Sequence, residues 1–202
     1  MDGFVEINLR TYIDAVGDSE AKNQLASFLC PMNADVQEFL RIRAFEFSKQ
    51  GITQTHLVFA SYQNEPVLVG YYSLTNKVIT VKKSTLSATS AKRIAKFGTF
   101  NEQSHCYIVP APLIAQIGKN YANGYYKLIS GDVLLSLACA KVKQVQLDVG
   151  GKIVYLECED HPKLLEFYAR NGFCNFGKRL LDKDERDLLS GEYLIQMMKY
   201  LR

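Results

Sequence analysis

Two stretches near the C-terminus decide the fold, and they read IVYLECED at residues 153–160 and LEFYARNGF at residues 165–173. The first is an apolar run that ends in acidic residues, which predicts a buried strand over Ile153–Cys158. Pro162 precedes the second, and proline is favoured at the first position of a helix. An Asn-Gly pair near its end is typical of a helix C-terminus. The two stretches therefore predict a strand and then a short helix that carries a Phe-Tyr pair.

Immediately upstream, the sequence predicts another strand, a loop and another helix. The strand covers residues 105–117 and contains Pro110 and Pro112. Because proline donates no hydrogen bond to a sheet, this strand should be bulged or open on one side there. Apolar residues four apart predict the helix over Gly131–Lys143, with Ser130 as its N-cap.

The first half of the chain predicts one helix and an antiparallel meander. Mixed three- and four-residue apolar spacing gives an amphipathic helix over residues 34–50, which Gly51 ends. Turns at residues 64–65 and 75–76 separate three strand-like runs: Thr55–Tyr62, Pro66–Leu74 and Lys77–Val81. Residues 84–101 predict a loop or a short irregular helix. Two strands close the chain: Phe173–Phe176 and Glu192–Tyr200.

The order of these elements predicts a mixed α/β sheet in a single domain over residues 1–202. A chain of 202 residues with 48% hydrophobic and 22% charged content suits one globular domain. No apolar run approaches the ~18 residues of a membrane helix, and no signal-like leader is visible, so we expect no membrane association. The five cysteines are odd in number and form no CxxC pair. We therefore expect a cytoplasmic protein without disulfides or a zinc site.

Known sequence motifs indicate which kinds of catalytic or binding site the chain can contain. The sequence contains no G-x-S-x-G, Walker A, G-x-G-x-x-G or H-E-x-x-H pattern, and we interpret the three histidines as structural or exposed, so we expect no metal site.

The informative feature is the junction before Gly131, because a helix N-terminus offers free N–H groups and a positive dipole end to a phosphate. Lys119 and Lys127 add positive charge there, whereas the carboxylate of Asp132 competes for the same dipole.

Positive charge is concentrated in the middle third of the chain. Residues 66–131 hold eight basic residues and one acid, whereas residues 1–65 hold five basic and nine acidic residues, and residues 132–202 hold eleven of each. Six cations lie within twenty residues that contain no acid: Lys77, Lys82, Lys83, Lys92, Arg93 and Lys96. We interpret this pattern either as a site for an anionic ligand such as phosphate, nucleotide or RNA, or as a solvated basic face.

The strand ending in acids, the Phe-Tyr helix and the following Asn-Gly-Phe at residues 153–173 resemble the C-terminal motif of the GNAT superfamily of acetyl-CoA-dependent N-acetyltransferases. Residues 67–74 and 109–118 are similar to segments of its toxin branch, whose members acetylate aminoacyl-tRNA and are neutralised by a ribbon-helix-helix antitoxin. The similarity covers roughly residues 28–200. It implies a GNAT-like fold, in which a mixed, mostly antiparallel central sheet is flanked by helices and one strand is splayed at the coenzyme site.

The resemblance also implies roles for particular residues. Tyr168 would be the general acid toward the coenzyme A thiolate. This proton transfer is uphill by about 1.5 pKa units, because the phenol has a pKa of ~10 and the parent thiol of the thiolate one of ~8.5. The splayed strand and the pyrophosphate loop would bind acetyl-CoA: Ile114, Ala115, Gln116, Ile117, Tyr126, Lys127, Ile129, Ser130 and Gly131. As the base, Glu157 or Glu159 could act through water; the alternative is that both are solvated surface carboxylates.

The chain departs from the family pattern at three points. The pyrophosphate loop usually reads Q/R-x-x-G-x-G/A, whereas this chain has Tyr126 at the first position and Ile129 in place of the first glycine. The loop is longer, because residues 121–125 have no counterpart. Residues 116–120 read QIGKN where the toxin branch typically has Arg-Leu-Ala-Val-Asp.

The function that the resemblance implies is N-acetylation, with acetyl-CoA as co-substrate and no metal. The acceptor stays open between a small amine, a protein N-terminus, a lysine and an aminoacyl-tRNA, with residues 77–96 as the candidate tRNA contact. An antitoxin partner is implied if the chain is toxin-like, and a homodimer is compatible with the resemblance. The alternative is a GNAT-like binding module that has lost catalysis through its Ile129 and Asp132 changes.

Overall fold

A computed structural model describes residues 3–183 and 191–201 of the protein. The chain divides into two compact units. The first extends to Thr75 and also includes Ala115–Ala138, and the second comprises Asn76–Ile114 and continues from Cys139. Each unit contains strands and helices of its own, and each is described separately below.

The described residues form eight strands and seven α-helices. The strands are β1 (Phe4–Asn8), β2 (Gln54–Tyr62), β3 (Glu65–Lys82), β4 (Thr99–Asn101), β5 (Cys106–Lys119), β6 (Ile153–Glu159), β7 (Cys174–Leu180) and β8 (Tyr193–Tyr200). The helices are α1 (Leu9–Val16), α2 (Asp18–Ala26), α3 (Ala34–Glu38), α4 (Ala44–Gln50), α5 (Ala88–Ile94), α6 (Gly131–Val149) and α7 (Pro162–Arg170). A π-helical turn, Phe39–Arg43, joins α3 to α4, and 3₁₀ turns span Lys83–Thr85 and Ala122–Lys127.

All eight strands belong to one sheet, in the order β1-β2-β3-β5-β6-β8-β7, with β4 beside β5. The pairing of β5 with β6 is parallel, whereas β1 with β2, β2 with β3, β4 with β5, β6 with β8, and β7 with β8 pair antiparallel. Helices flank this sheet. The predicted fold class, a mixed and mostly antiparallel sheet with flanking helices, is therefore confirmed.

In the first unit, one apolar core joins helices α1–α4 to strands β2 and β3. At its centre lies the fully buried Tyr71, whose ring is 5.1 Å from that of Phe28 and 6.4 Å from that of Phe39 between centroids. The Tyr71 hydroxyl donates a hydrogen bond of 2.5 Å to the backbone oxygen of Val36. Such rings bury a large apolar area while their one polar atom is satisfied, so this contact fixes the start of α3 against β3.

The predicted helix over residues 34–50 is confirmed, with one local difference. The π-helical turn interrupts the α-helix, and because a π turn contains an extra residue, the apolar spacing shifts there. Ile42, which the spacing placed on the apolar face, is 66% exposed. Gly51 ends the helix in the left-handed region, as expected.

Two expectations for the first half of the chain are wrong or incomplete. No turn occurs at residues 75–76, because β3 continues from Glu65 to Lys82. The reason is visible in the alternation: Ile79 and Val81 are buried while Val78 is exposed, which is the period-two pattern of a strand. The sequence reading also assigned nothing before residue 34, where β1, α1 and α2 lie.

In the second unit, apolar side chains from β3, α5, β5, β6 and β7 pack together into one core. The predicted strand at residues 153–158 and helix from Pro162 are confirmed, and so are the two closing strands. Residues 84–101 contain the expected short helix, α5, and also the unpredicted strand β4.

Helix α6 begins where predicted but ends later. It continues beyond Lys143 to Val149, and Gly150 follows with a φ of 80°. The last turns persist because the side chain of Gln146 is buried and donates a hydrogen bond of 2.9 Å to the backbone oxygen of Ile153. Gln146, although polar, thus extends the buried face of α6 beyond the apolar residues spaced four apart.

Candidate functional site

Strand β5 carries the four strand residues predicted to bind acetyl-CoA, Ile114–Ile117. It lies between β3 and β6 in the sheet. It pairs with β4 at residues 106–108 and with β6 at two positions, Leu113 with Tyr155 and Ile114 with Leu156. Residues 109–112, which contain both prolines, lie between these pairings, in agreement with the expected opening. The side chain of Ile114 is buried, and those of the next three residues are half-buried.

In the first unit, residues 27–38 lie along the C-terminal half of β5. Asn120, 2% exposed, is the hub of this contact. Its Oδ1 accepts hydrogen bonds from the N–H groups of Leu29 (3.0 Å) and Ala122 (3.1 Å), and its Nδ2 donates to the oxygen of Leu68 at 2.9 Å. The N–H of Tyr121 donates in turn to the oxygen of Leu29 at 2.7 Å. These hydrogen bonds fix residues 27–38 and strand β3 in position relative to the end of β5.

One side-chain contact along this segment involves a predicted site residue. The Nε2 of Gln116 donates a hydrogen bond of 2.6 Å to Oδ2 of Asp35, although 81 positions separate the two residues. Both side chains are half-buried. The sequence analysis did not single out Asp35, and no local pattern could have found it, because the contact depends on how α3 packs against β5.

The loop before α6 is aromatic and cationic. Tyr126 stacks on Tyr121, with ring centroids 4.6 Å apart and an angle of 17° between the planes. The Nζ of Lys119 lies 5.5 Å from the centre of the Tyr126 ring and donates to its backbone oxygen at 3.2 Å, and the Nζ of Lys127 lies 5.9 Å from the same ring. The two cations predicted to flank the phosphate site therefore share one aromatic residue.

Helix α6 begins at Gly131, as predicted, and Ser130 caps it: the Ser130 Oγ accepts a hydrogen bond of 3.1 Å from the N–H of Val133. Ile129, which replaces the first glycine of the family pattern, is buried. Its apolar side chain thus anchors the loop, while Ser130 beside it is exposed. The junction has the composition of an anion site: a capped N-terminus of a 19-residue helix, with Lys127 in the preceding loop and Lys119 at the end of β5.

Tyr168 lies on α7 in the second unit, with 7% of its surface exposed. Its ring contacts Phe167 and Phe173, with centroid distances of 5.0 and 6.0 Å. Burial raises the pKa of its phenol above the ordinary value of 10.0, and the thiol of Cys158 adds to the rise. Within the described part of the chain the Tyr168 hydroxyl makes no hydrogen bond, so its proton can be donated to a bound molecule.

Of the two carboxylates considered for the base, Glu157 is not a solvated surface group, because it is paired and mostly buried. Its Oε2 lies 2.8 Å from Nη2 of Arg179 and accepts a hydrogen bond of 2.9 Å from Nε, and its Oε1 accepts from Gln196 at 2.8 Å. Its side chain is only 14% exposed. This carboxylate holds β6, β7 and β8 together. Glu159, at the end of β6, is half-buried.

The six cations of residues 77–96 are all exposed in the second unit: Lys77, Lys82, Lys83, Lys92, Arg93 and Lys96. Lys83 lies 5.2 Å from the centre of the Phe100 ring, and Arg93 lies 5.3 Å from that of Tyr200. Among the residues that the structure describes, none of the six forms an ion pair with a carboxylate. Within residues 3–183 and 191–201, no carboxylate therefore neutralises their charge.

Within residues 3–183 and 191–201, no three or more His, Cys, Asp or Glu side chains converge so as to hold a metal ion. Over the same residues no helix has the length and apolar character needed to cross a bilayer. The five cysteines are free, and four of them are buried.

No protein-family model and no curated protein sequence matches the chain. Solved structures do match it. One is a tyrosine-to-phenylalanine mutant of the AtaT toxin bound to the C-terminus of the antitoxin AtaR and acetyl-CoA, with 16% identity, a TM-score of 0.59, and coverage of 98% of this chain and 94% of that one. Another is AtaT with acetyl-methionyl-tRNAfMet, with 15% identity, a TM-score of 0.60, and coverage of 95% and 93%. A third is a tyrosine-to-phenylalanine mutant of KacT, with 16% identity, a TM-score of 0.60, and coverage of 96% and 94%.

These identities are low, and the likeness is one of fold. The chain has the same fold as the AtaT toxin and as KacT over nearly its whole length. The fold class that the sequence resemblance implied is therefore confirmed.

Proposed function

We propose that residues 1–202 form a single N-acetyltransferase domain that transfers the acetyl group of acetyl-CoA to an amine. The observation that carries the proposal is the junction between β5 and α6. There a capped helix N-terminus lies after Lys119 at the end of β5 and Lys127 in the loop, which suits the diphosphate of coenzyme A. The AtaT structure that contains acetyl-CoA has the same fold, which supports this choice of ligand.

When bound, acetyl-CoA supplies a thioester whose carbonyl carbon an amine can attack. The backbone of Ile114–Ile117 would hold the acetyl end and stabilise the charge that develops on the carbonyl oxygen. The residues Tyr126, Lys127, Ile129, Ser130 and Gly131 would hold the diphosphate. Tyr168 holds a proton at its phenol oxygen, because burial raises its pKa, and delivers it to the leaving sulfur. Glu157 and Glu159 stay the two candidates for a base that acts through water, and Glu157 is held by Arg179 and Gln196.

Calorimetric titration with coenzyme A tests this proposal, and Gly131→Val tests where the diphosphate lies. The wild type should bind, and the valine variant should bind at least tenfold more weakly, because a branched side chain obstructs the helix N-terminus. The matched control is Ser136→Val, at an exposed position of the same helix. If coenzyme A does not bind the wild type, the non-catalytic binding module becomes the better proposal. If Gly131→Val binds as well as Ser136→Val, the diphosphate site lies elsewhere.

A second observation favours aminoacyl-tRNA as the acceptor. The six exposed cations of residues 77–96 have no carboxylate partner within the described residues, so they can contact a polyanion. The structure of AtaT with acetyl-methionyl-tRNAfMet, which shares the fold, supports the same acceptor class. Acetylation of charged tRNA should fall steeply between low and moderate salt, whereas acetylation of a small polyamine should not. If only the polyamine is acetylated, and equally fast at both salt concentrations, the six cations are a solvated basic face and do not contact the acceptor.

Partners and location stay predictions. An AtaT structure contains the C-terminus of an antitoxin, which supports testing for an antitoxin partner of this chain. The five free cysteines support a reducing compartment such as the cytoplasm. A homodimer is compatible with the proposal.

A further inference from the structure

A carboxylate lies beside the strand that we propose to bind the acetyl group. Oδ2 of Asp35 accepts a 2.6 Å hydrogen bond from Gln116, the third of the four strand residues Ile114–Ile117. Asp35 and Gln116 both belong to the first unit, so this contact is a property of that unit alone.

The backbone around Asp35 is held rigidly against β5 and β3. The hydroxyl of Tyr71 bonds the oxygen of the next residue, Val36, and a Cβ at Gly118 would lie only 2.4 Å from Cγ1 of Val36. Asn120 ties the preceding segment to the end of β5. The carboxylate is therefore preorganised relative to the strand and does not depend on a mobile side chain of a loop.

The contacts of Asp35 leave its charge uncompensated. Asp35 lies in the first turn of α3, but Asn33 already caps that helix, since its Oδ1 accepts from the N–H of Val36 at 3.0 Å. The partner of Asp35 is a neutral amide, and among the described residues no lysine or arginine pairs with it. Burial raises the pKa of the Tyr71 phenol, and the charges of Cys30 and Asp35 add to the rise. A half-buried carboxylate with one neutral partner is suited to bind a cation.

We propose that Asp35 binds the ammonium group of the acceptor and thereby selects primary amines for transfer. The proposal rests on the proposed acetyltransferase function and adds a specificity residue to it. One carboxylate oxygen stays on Gln116, and the other accepts a charge-assisted hydrogen bond from the acceptor nitrogen. The acceptor is thus held as a cation beside the strand that binds the acetyl group. It gives one proton to solvent water before attack, and its freed electron pair then forms the C–N bond while the C–S bond of the thioester breaks and the thiolate leaves.

The probe is methioninamide, which carries a single α-ammonium group, and its partner is 4-(methylthio)butanamide, which has the same chain without the amine. Binding of both is measured by calorimetry at pH 6, where an α-amino group of pKa about 7.7 is protonated, with the protein saturated with coenzyme A. The wild type should prefer methioninamide at least tenfold. In Asp35→Asn the preference should fall below threefold, while the affinity for coenzyme A changes less than twofold. Each preference is a ratio within one protein sample, so partial loss of folded protein cancels.

Asp14→Asn is the matched control, because it removes the same charge from an exposed carboxylate of the same unit. It should leave the preference unchanged, and Asp35→Glu, which keeps the charge, should retain most of it. If the wild type binds coenzyme A but does not prefer the amine, or if Asp35→Asn keeps the wild-type preference, Asp35 does not bind the acceptor. If coenzyme A itself is not bound, the acetyltransferase proposal fails first, and the role of Asp35 fails with it.

Discussion

Replacing Tyr168 by phenylalanine tests the acid role with the smallest available change. The ring remains, and with it the contacts to Phe167 and Phe173 at 5.0 and 6.0 Å. Because the hydroxyl makes no hydrogen bond to another described residue, its removal should change the free energy of unfolding by less than about 1 kcal/mol. Turnover should fall by about 10–10³-fold, since one general acid is lost, and the affinity for coenzyme A should change little.

The pH dependence follows from the direction of the pKa shift. The folded-state pKa of Tyr168 lies above its ordinary value of 10.0, so the phenol stays protonated throughout the neutral range. Its deprotonation should therefore not reduce the rate of the wild type below about pH 10. For stability the sign is the same: the contribution is present below pH 10 and is lost as the pH rises further, because the unfolded state then ionises first. Melting temperatures between pH 9 and 11 should fall less steeply for Tyr168→Phe than for the wild type.

The assay is single-turnover acetylation of whichever amine the wild type acetylates fastest, so that product release does not mask the chemical step. Tyr193→Phe serves as control, because it removes a phenol of the same unit that donates to Asp160 at 3.2 Å. This control should keep wild-type turnover. Equal single-turnover rates for Tyr168→Phe and the wild type would falsify the acid role.

Two further changes test the packing and the basic stretch. Asn120→Ala should destabilise the protein by about 2 kcal/mol in urea unfolding, because two partly buried N–H groups and one buried carbonyl lose their partner. A loss below about 0.5 kcal/mol would mean that water replaces the side chain. The double variant Lys92→Glu with Lys96→Glu should weaken tRNA binding. It should also lower the slope of log affinity against log salt concentration by about 2, one for each lost phosphate contact. An unchanged slope would mean that these lysines do not contact the tRNA.

The parts of the fold that the sequence predicted are those with local signals. The strand at residues 153–158 and the helix from Pro162 carry their start, their end and their burial pattern within about ten residues each. Ser130 could be assigned as a cap for the same reason, and its bond to Val133 is present. The resemblance to GNAT proteins rests on this local stretch, and the fold similarity agrees with it.

The parts that escaped prediction depend on contacts between distant residues. The residues 75–76 have turn-like composition, but pairing of β3 with β2 up to Leu74 and burial of Ile79 keep the strand extended. The engagement of Glu157 by Arg179 joins residues 22 positions apart, and that of Asp35 by Gln116 joins residues 81 positions apart. No short stretch of the sequence contains both members of such a pair. From the sequence alone, a carboxylate that is held by a distant residue therefore cannot be distinguished from a candidate base.

The departure of residues 116–120 from the toxin pattern has a physical explanation in these distant contacts. Gly118 stands where the pattern has alanine, and a Cβ there would lie 2.4 Å from Cγ1 of Val36, so glycine permits α3 to approach β5 closely. Asn120 stands where the pattern has aspartate, and its amide donates to Leu68, which a carboxylate could not do. Gln116 stands where the pattern has arginine and meets Asp35 as a neutral partner. The three changes are therefore linked through one packed segment, and together they leave a negative charge beside β5 that an arginine at position 116 would neutralise.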